Sequence, residues 1–397
     1  MPGVIGVVGA GTMGAGIAQL AIEAGHRVLL HDVNAEAIER GRERIRLGLE
    51  RRAARLDLDA DSADEWVDGR LERLVDEPSL EACGAGAELV VEAALEDLAA
   101  KRAIFRALDD VAPDRTLLAT NTSALSVTEI ASATTRRARV LGLHFFNPAP
   151  VMPLVEVVAA PATAEATLDR SIELVTGWGK VPVRCRDTPG FIVNRVNRPF
   201  TLEALAILEG RLAGIDAIDG AVRSAGYPMG PFELMDLIGV DINLAAAFGI
   251  YERTRHAGDP LAERFRPSRI QERLVAEGRL GRKTGSGFYA YGPDGRPIGP
   301  MAGLVDVGSG PSTAIPEVGI AERITVAIVN EAYRALGEQV ATPADIDLAM
   351  RLGAGHPTGP FERAEALGGT DAIRDALRRH AGNGPRFEPA PALLAPD

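Results

Sequence analysis

The sequence predicts an α/β fold in which a doubly wound parallel sheet is followed by an all-helical C-terminal half. Short β-rich runs alternate with segments of helical periodicity as far as about residue 187. A glycine-rich turn directly follows the first β-rich run, and the β-rich pattern ends at the break Asp187-Thr188-Pro189-Gly190. Alternating strands and helices are typical of parallel sheets, whose ligands bind at the carboxyl ends of the strands.

The length of 397 residues exceeds what one ordinary core accommodates and fits two or three domains. We predict a sheet domain at residues 1–187 and a helical domain at 188–292. A Pro/Gly/Ser-rich linker at 293–317 and a second helical domain at 318–397 complete the predicted organisation.

Composition restricts the classes of function. The net charge of −12 argues against a broad nucleic-acid surface, which needs a basic footprint. The two cysteines lack CxxC spacing and a histidine cluster, so we expect no disulfide framework and no metal site. We find no signal peptide and no run of about 18 apolar residues, so the expected location is the cytoplasm, away from membranes.

The first strand, predicted at Val4–Val8, leads directly into GAGTMGAG, which places Gly9, Gly11 and Gly14 in the GxGxxG spacing. These glycines allow a tight turn, close approach of the backbone to a pyrophosphate, and close packing of the next helix on the strand. That helix, predicted at Ala15–Ala24, directs free N–H groups at the anion. The pattern indicates a Rossmann-type dinucleotide site.

The second strand, predicted at Val28–His31, ends in Asp32, eighteen residues after Gly14. A carboxylate at this place accepts hydrogen bonds from a ribose 2′-hydroxyl and repels the extra phosphate of NADP. Because no arginine follows in Val33-Asn34, the sequence predicts NAD as the cofactor.

Polar residues follow the later strands, which are predicted at 88–92 and 116–120. Glu96, Lys101 and Ser123 therefore lie at the expected ligand edge of the sheet. Alternatively, the first two are surface residues of a helix, and Ser123 forms a turn. Between residues 35 and 73, a polar helical stretch carries a dense cluster of arginines, which is either a basic patch or an ordinary solvated helix face.

A histidine and a carboxylate lie on two predicted strands, which could hold them within hydrogen-bond distance, so that the carboxylate stabilises the protonated imidazole. His144 lies near the end of a strand predicted at Val140–Phe146, and Glu156 lies in a strand predicted at Leu154–Val158. A histidine oriented by a carboxylate is a general base near neutral pH, which the oxidation of a secondary alcohol requires. The alternative is a structural histidine in the core and a solvated glutamate.

The helical half, which begins with a long helix predicted at Phe191–Glu209, contains an internal repeat. LGAGHPTGPFERAEALGG, Leu352–Gly369, echoes SAGYPMGPFELMDLIG, Ser224–Gly239, and Gly355 matches Gly226 at a separation of 129 residues. A repeat of this length predicts a duplicated helical domain.

Seven motifs occur in order: GAGTMGAGIA, ALEDLAAK, NTSALSVTEIA, GLHFFNPAPVMPLVEVV, DTPGFIVNR, GYPMGPFELMDLIG and GRKTGSGFYAY. With them the chain resembles the L-3-hydroxyacyl-CoA dehydrogenases from residue 1 to about 292, and HFFNP with PGFIVNR is specific. The duplicated tail resembles longer bacterial members and the dehydrogenase part of fatty-oxidation multienzyme proteins.

The resemblance implies roles for matching residues. The family's catalytic serine, histidine, glutamate and asparagine fall on Ser123, His144, Glu156 and Asn194. Its cofactor contacts fall on the glycine loop and later positions, namely Gly9, Gly11, Thr12, Met13, Gly14, Asp32, Glu96, Lys101 and Asn147.

Two positions depart from the family pattern. Pro153 stands where members often have lysine, and Gly48 lies near the place of a serine that commonly touches CoA. A CoA phosphate is therefore expected to bind Arg52 or Arg55 as a charge-assisted partner.

The implied function is reversible NAD-dependent oxidation of an L-3-hydroxyacyl-CoA to the 3-ketoacyl-CoA, in fatty-acid or aromatic-acid catabolism. One alternative is a related dehydrogenase of a free hydroxy acid, such as L-gulonate or carnitine. Another is an NAD-binding protein without turnover, like the lens crystallins recruited from this superfamily. No residue in the sequence predicts the acyl chain length or the presence of a second carboxylate.

The duplication also bears on assembly. Shorter family members dimerise through the helical domain, so a second copy on one chain predicts a monomer that contains a pseudo-dimer, or a homo-oligomer through other surfaces. Glu322 falls at the place of Asn194 in the second copy, so that copy is expected to be inactive.

Overall fold

The computed structural model describes residues 3–304 and 316–394. The chain forms two compact units, Met1–Phe191 and Ile192–Asp397. The first unit therefore ends four residues after the boundary that the sequence predicts at residue 187.

An eight-stranded sheet forms the centre of the first unit. Its strands are β1 (Val4–Val8), β2 (Arg27–His31), β3 (Leu74–Asp76), β4 (Leu89–Glu92), β5 (Leu117–Thr120), β6 (Val140–Phe145), β7 (Leu154–Ala159) and β8 (Val181–Arg186). They lie in the order β3-β2-β1-β4-β5-β6-β7-β8, so the strand order reverses at β1. This arrangement confirms the predicted doubly wound α/β fold.

One strand pairing differs from the parallel sheet that the sequence predicts. β6 and β7 are antiparallel, because the segment 146–153 between them is too short for a crossover connection, which needs about a dozen residues or more. The edge strand β3 is not predicted from the sequence, since three residues carry too little periodicity to be recognised.

The helices of the first unit are α1 (Thr12–Glu23), α2 (Ala35–Ala53), α3 (Ala60–Leu71), α4 (Leu80–Gly86), α5 (Leu98–Val111), α6 (Val127–Ala131) and α7 (Glu165–Gly177). The polar helical stretch predicted over 35–73 consists of two helices, α2 and α3. The second begins at a cap, because the Asp59 carboxylate accepts a hydrogen bond from the N–H of Ser62 at 2.9 Å.

In its described residues, 192–304 and 316–394, the second unit is helical apart from a hairpin of β9 (Tyr289–Tyr291) and β10 (Pro297–Pro300). Its helices are α8 (Val193–Val196), α9 (Arg198–Glu209), α10 (Ile215–Ser224), α11 (Pro231–Ile238), α12 (Val240–His256), α13 (Arg269–Ala276), α14 (Glu317–Gly337), α15 (Pro343–Ala354), α16 (Pro360–Ala366), α17 (Gly369–His380) and α18 (Pro391–Leu394). The segment 293–317, which the sequence predicts as a linker, contains β10 and the first residue of α14, and its residues 305–315 lie outside the described part.

The helix predicted over Phe191–Glu209 is interrupted between α8 and α9. Pro199 has no N–H to donate to the carbonyl of Arg195, so the regular hydrogen-bond ladder cannot continue through this point. Asn194 lies in the short helix α8, which precedes the interruption.

The predicted internal duplication is visible in matching helix caps. In each copy, one aspartate accepts two backbone N–H groups at the start of the helix that follows a Gly-Pro turn. Asp219 accepts from the N–H groups of Phe232 and Glu233 at 3.0 and 3.1 Å. Asp347 accepts from those of Phe361 and Glu362 at 2.8 and 3.2 Å. A Cβ at either turn glycine, Gly230 or Gly359, would lie 2.2 Å from the aspartate. The close approach explains why both copies keep the glycine.

Buried ion pairs join the two copies within the second unit. Glu331 of α14 accepts from Arg195 Nε and Arg264 Nε, each at 2.8 Å. In the opposite direction, Glu203 of α9 accepts from Arg323 and Arg386. Each copy therefore supplies charges that the other copy neutralises.

No single described helix is long and apolar enough to cross a membrane. The bent pair α11 and α12 passes the same test by length and composition alone.

Candidate active site

His144 and Glu156 lie directly opposite each other on the antiparallel strands β6 and β7. Side chains paired in this way project from the same face of a sheet. The His144 Nδ1 and Glu156 Oε2 atoms are 2.6 Å apart, and the glutamate side chain is 0% exposed. An ionised carboxylate only accepts hydrogen bonds, so the ring proton lies on Nδ1 and Nε2 is left as the basic nitrogen. The predicted hydrogen bond is therefore present.

Packing and backbone contacts fix the orientation of the His144 ring. The rings of Phe146 and Phe191 have their centroids 4.5 and 5.7 Å from the imidazole. Phe191 holds its position with φ at 50°, a costly conformation for a bulky residue. Asn121, which follows β5, accepts a hydrogen bond from the N–H of Phe145 at 2.9 Å. This bond ties the carboxyl ends of β5 and β6 together beside the histidine.

Glu96 organises the turn that carries Ser123. Its Oε1 atom accepts from the Thr122 hydroxyl at 2.6 Å and from the N–H groups of Ser123 and Ala124 at 3.0 and 3.2 Å. Burial opposes ionisation, but the neighbouring Lys101 and these hydrogen bonds hold the pKa of Glu96 below its ordinary value. Glu96 is thus a fixed anion that positions the serine.

Lys101 is a fully buried cation and not a solvated residue of a helix surface. Its Nζ lies 2.7 Å from Glu92 Oε1 and 3.4 Å from Glu96 Oε2. Glu92 is also fully buried, and its second oxygen accepts from the Thr120 hydroxyl at 2.7 Å. Sequence reasoning does not single out Glu92, because the only signal is an acid at the end of an apolar strand. The contacts of Glu96 and Lys101 with a cofactor stay predictions.

The glycine loop has the geometry that a dinucleotide requires. Gly9 has φ at 102°, and a Cβ on Gly14 would lie 1.7 Å from the Gly9 carbonyl oxygen. A Cβ on Gly11 would meet nothing within 4 Å, so the approach to the start of α1 is open. Thr12 and Met13 begin that helix, where N–H groups lack intrahelical acceptors. These residues fit a bound pyrophosphate.

Asp32 lies directly beside the glycine loop, at the carboxyl end of β2. Its Oδ2 accepts from the N–H of Ala10, and its Oδ1 accepts from the N–H of Val33, both at 2.7 Å. The first bond fixes the carboxylate against the loop. This is the place that the sequence predicts for a ribose contact.

A cleft of about 580 Å³ opens beside the glycine loop. Its lining includes Thr12, Gln19, Lys180 and four arginines, namely Arg44, Arg51, Arg52 and Arg55. Arg52 Nε lies 3.6 Å from Glu23 Oε2, which also lines the cleft. A Cβ on Gly48 would lie 2.1 Å from Gln19 Oε1, the mobile end of a side chain that also lines the cleft.

Lys180 is a further cleft residue that sequence reasoning does not single out. Its Nζ donates to the carbonyls of Ala149 and Met152 at 2.7 and 2.9 Å. Burial lowers the pKa of Lys180 to about 8. Its position in the cleft depends on tertiary packing, which no local motif indicates.

The residues 3–304 and 316–394 contain no group of three or more His, Cys, Asp or Glu side chains that could hold a metal ion.

Comparison with known families decides what this site belongs to. Residues 4–188 match the model of the 3-hydroxyacyl-CoA dehydrogenase NAD-binding domain. Residues 190–291 and 320–395 match the model of the 3-hydroxyacyl-CoA dehydrogenase C-terminal domain. The chain belongs to the 3-hydroxyacyl-CoA dehydrogenase family. The resemblance that the motifs indicate is therefore confirmed, and the C-terminal domain model matches both helical copies.

Relatives within the family cover most of the chain. A protein of Escherichia coli strain K12 named 3-hydroxyadipyl-CoA dehydrogenase is 38% identical, over 98% of this chain and 96% of its own length. The mitochondrial hydroxyacyl-coenzyme A dehydrogenase of Rattus norvegicus is 42% identical, over 72% of this chain and 90% of its own. The crystal structure of 3-hydroxybutyryl-CoA dehydrogenase from E. coli K12 has a TM-score of 0.86 at 36% identity, covering 99% of this chain and 98% of that one.

Among the residues assigned from the family motifs, the structure brings Ser123, His144 and Glu156 into the first unit. Asn147 also lies there, exposed just after β6. Asn194 belongs to the second unit, so its place in the chemistry of a 3-hydroxyacyl-CoA dehydrogenase stays a prediction. The family membership implies a nicotinamide cofactor and a CoA-linked substrate.

Proposed function

We propose that the chain catalyses the reversible oxidation of an L-3-hydroxyacyl-CoA to the 3-ketoacyl-CoA with NAD⁺, in fatty-acid or aromatic-acid catabolism. The observation that carries the proposal is the 2.6 Å contact between His144 and the fully buried Glu156. A secondary alcohol loses its hydroxyl proton as the hydride leaves, so its oxidation needs a base held in place. The pair supplies that base.

His144 takes the hydroxyl proton at Nε2, and Glu156 stabilises the imidazolium that forms through the bond to Nδ1. Ser123, held by Glu96, donates a hydrogen bond to the reacting oxygen. NAD⁺, when bound, accepts the hydride from C3 of the substrate. Asn194 is proposed as a second donor to the reacting oxygen or the thioester carbonyl, on the family motif alone.

Oxidation of L-3-hydroxybutyryl-CoA and its D-isomer by the purified full-length protein tests this proposal. We expect turnover of the L-isomer with NAD⁺ and little or none of the D-isomer, because base and hydride acceptor act on fixed sides of C3. Bound NADH without turnover of either isomer would support the alternative of a non-catalytic NAD-binding protein.

We infer that the cofactor is NAD and not NADP, because the Asp32 carboxylate is fixed against the glycine loop at the end of β2, where this fold binds the ribose 2′-hydroxyl and a carboxylate would repel a 2′-phosphate. We expect kcat/KM with NAD⁺ to exceed that with NADP⁺ by at least about tenfold, which corresponds to about 1.4 kcal/mol. One close repulsion between two anions is sufficient for such a difference. Equal kcat/KM values with the two cofactors would contradict the role of Asp32.

Arg52 and Arg55 are proposed to hold a phosphate of CoA. Both line the arginine-rich cleft of the first unit. Although the net charge of the protein is −12, this cleft is lined by several arginines, which can bind a phosphate through charge-assisted hydrogen bonds. The names of the two E. coli proteins refer to adipyl and butyryl substrates, so the family leaves the acyl group of this chain's substrate open.

We propose that the full-length chain is a monomer in which the second helical copy covers the first. Cutting the chain after Tyr291 would remove Glu331, the partner of Arg195 and Arg264, together with the arginines that neutralise Glu203. We expect the shortened chain to form a dimer or to aggregate, because buried charges and apolar helix faces lose their partners. Light scattering of both chains measures their oligomeric state and any aggregation. A shortened chain that stays soluble in the same oligomeric state as the full-length protein would rule the proposal out.

A further inference from the structure

Arg44 of α2 is an exposed cation that has no acidic partner among the described residues. Two nearby arginines of the same helix each have one. Arg42 Nη2 lies 2.8 Å from Asp76 Oδ1, and Arg46 Nη1 lies 3.6 Å from Asp68 Oδ1. A guanidinium carries several N–H donors and is always charged, so Arg44 can bind an anion that the protein does not supply.

A long hydrogen bond holds the Arg44 guanidinium against the glycine loop. Its Nη1 donates to the carbonyl oxygen of Ala10 at 3.4 Å, and Ala10 lies between Gly9 and Gly11. The helix itself comes close to the loop, because a Cβ on Gly41 would lie 2.5 Å from the Ala10 Cβ. Gly41 and Arg44 are three residues apart and share one face of α2. The guanidinium therefore lies at the loop where this fold binds a pyrophosphate.

The charges around the loop require a cation if an anion is to bind there. Asp32 Oδ2 accepts a hydrogen bond from the N–H of Ala10 at 2.7 Å, which places a negative charge beside the loop. The N-terminus of α1 offers only about half an elementary positive charge. That helix has no basic residue in its first turn, which begins at Thr12. Arg44 supplies the full positive charge that the helix lacks.

The position of Arg44 along α2 distinguishes the dinucleotide from CoA as its ligand. Arg44 lines one cleft together with Thr12 and Arg52. Arg52 follows Arg44 by eight residues of the same helix, a distance of about 12 Å along the axis. A CoA phosphate held by Arg52 is therefore remote from Arg44, whereas the glycine loop is in hydrogen-bond contact with it.

We propose that Arg44 binds the pyrophosphate of the dinucleotide and is a main determinant of cofactor affinity in this chain. The inference rests on the proposed function, because it takes NAD as the ligand. The guanidinium exchanges its weak bond to the Ala10 carbonyl for charge-assisted bonds to phosphate oxygens. The N–H groups at the start of α1 bind the same group of oxygens.

Fluorescence titration of the full-length protein with NADH, in the absence of a substrate, tests the proposal. We expect Arg44→Met to raise the Kd for NADH by at least about fivefold, because it removes a hydrogen-bonded charge. Arg44→Lys should raise it less, since lysine keeps the charge but lacks the planar fork. Both variants should fold, because Arg44 is exposed.

Arg46→Met is the matched control. It removes the same charge from the same helix, but Arg46 is half-exposed and paired with Asp68, and it does not line the cleft. The Kd for NADH should stay at the wild-type value. A rise as large as that of Arg44→Met would show that only the net charge matters, and would overturn the proposal.

Salt dependence separates a contact with the anion from a merely structural role. Salt screens exposed charges, so the difference in Kd between wild type and Arg44→Met should shrink as KCl is raised. A difference that persists undiminished would mean that Arg44 only shapes the loop, and would overturn the proposal. So would an unchanged Kd for NADH, or a loss of affinity confined to CoA. NADH binding that depends on Arg44, without turnover of any 3-hydroxyacyl-CoA, would count against the proposed function and support the pyrophosphate contact.

Discussion

Replacing His144 by glutamine is expected to lower kcat for oxidation of L-3-hydroxybutyryl-CoA by a factor on the order of 10² or more. The expected loss follows because a base placed on the hydroxyl proton contributes about 10²–10⁴-fold. Glutamine is similar in length and can still donate a hydrogen bond to the buried Glu156. The fold and the affinity for NADH should therefore change little, as circular dichroism and NADH titration would show.

Glu156→Gln should act through the same imidazole, so the double variant should lose little more activity than His144→Gln alone. His26→Gln is the matched control. The His26 side chain is 8% exposed and lies 3.8 Å from Glu88 Oε1 in the same unit, but has no predicted role in catalysis. Effects of His144→Gln and Glu156→Gln that multiply independently would show that the two residues do not form a catalytic pair.

Lys101→Met is expected to destabilise the first unit by about 3–5 kcal/mol, the usual cost of breaking a buried ion pair from one side. Lys101 Nζ lies 2.7 Å from Glu92 Oε1, so the change leaves the fully buried Glu92 without its cation. Glu92→Gln combined with Lys101→Met should recover most of the loss, because the double variant buries no net charge.

Tryptophan fluorescence in a urea titration measures this effect in the relevant unit. Both tryptophans, Trp66 and Trp178, lie in the first unit, whereas all five tyrosines lie in the second. Arg184→Met removes an exposed partner of Glu165 in the same unit and should have a much smaller effect. A Lys101→Met variant as stable as the wild type would show that the ion pair contributes nothing to the fold.

The parts of the site that lie close together in sequence were predictable. Gly9, Gly11 and Gly14 have local reasons for their spacing, and the structure shows a tight turn, an open approach and a close packing contact at these positions. The contact between His144 and Glu156 followed from two strands with a short turn between them. That turn also indicates antiparallel pairing, which a general rule for alternating strands and helices overlooks.

The interrupted helix before Glu209 also had a local signal. Pro199 stands inside the stretch predicted as one helix, and proline removes a ladder hydrogen bond wherever it occurs. The prediction of one helix is wrong because helical periodicity continues across Pro199, although the hydrogen-bond ladder does not.

Burial of charge could not be predicted from the sequence. A lysine near the start of a helix is usually solvated, and only the structure shows that Lys101 is fully buried beside Glu92. Arg198 is a stronger case, since it is 5% exposed, has no acidic partner among the described residues, and has its pKa lowered by burial to about 10. Such a property depends on every neighbour at once, and a single sequence does not reveal which residues become neighbours.

The most direct test of the central claim compares reduction of acetoacetyl-CoA with reduction of free acetoacetate by NADH and the purified full-length protein. The His144–Glu156 pair can act on either carbonyl compound, but the family and the arginine-rich cleft favour the CoA thioester. We predict rapid NADH oxidation with acetoacetyl-CoA, and a kcat/KM for the free acid lower by at least about 10²-fold. Activity confined to free acids, with none on the CoA thioester, would contradict the account.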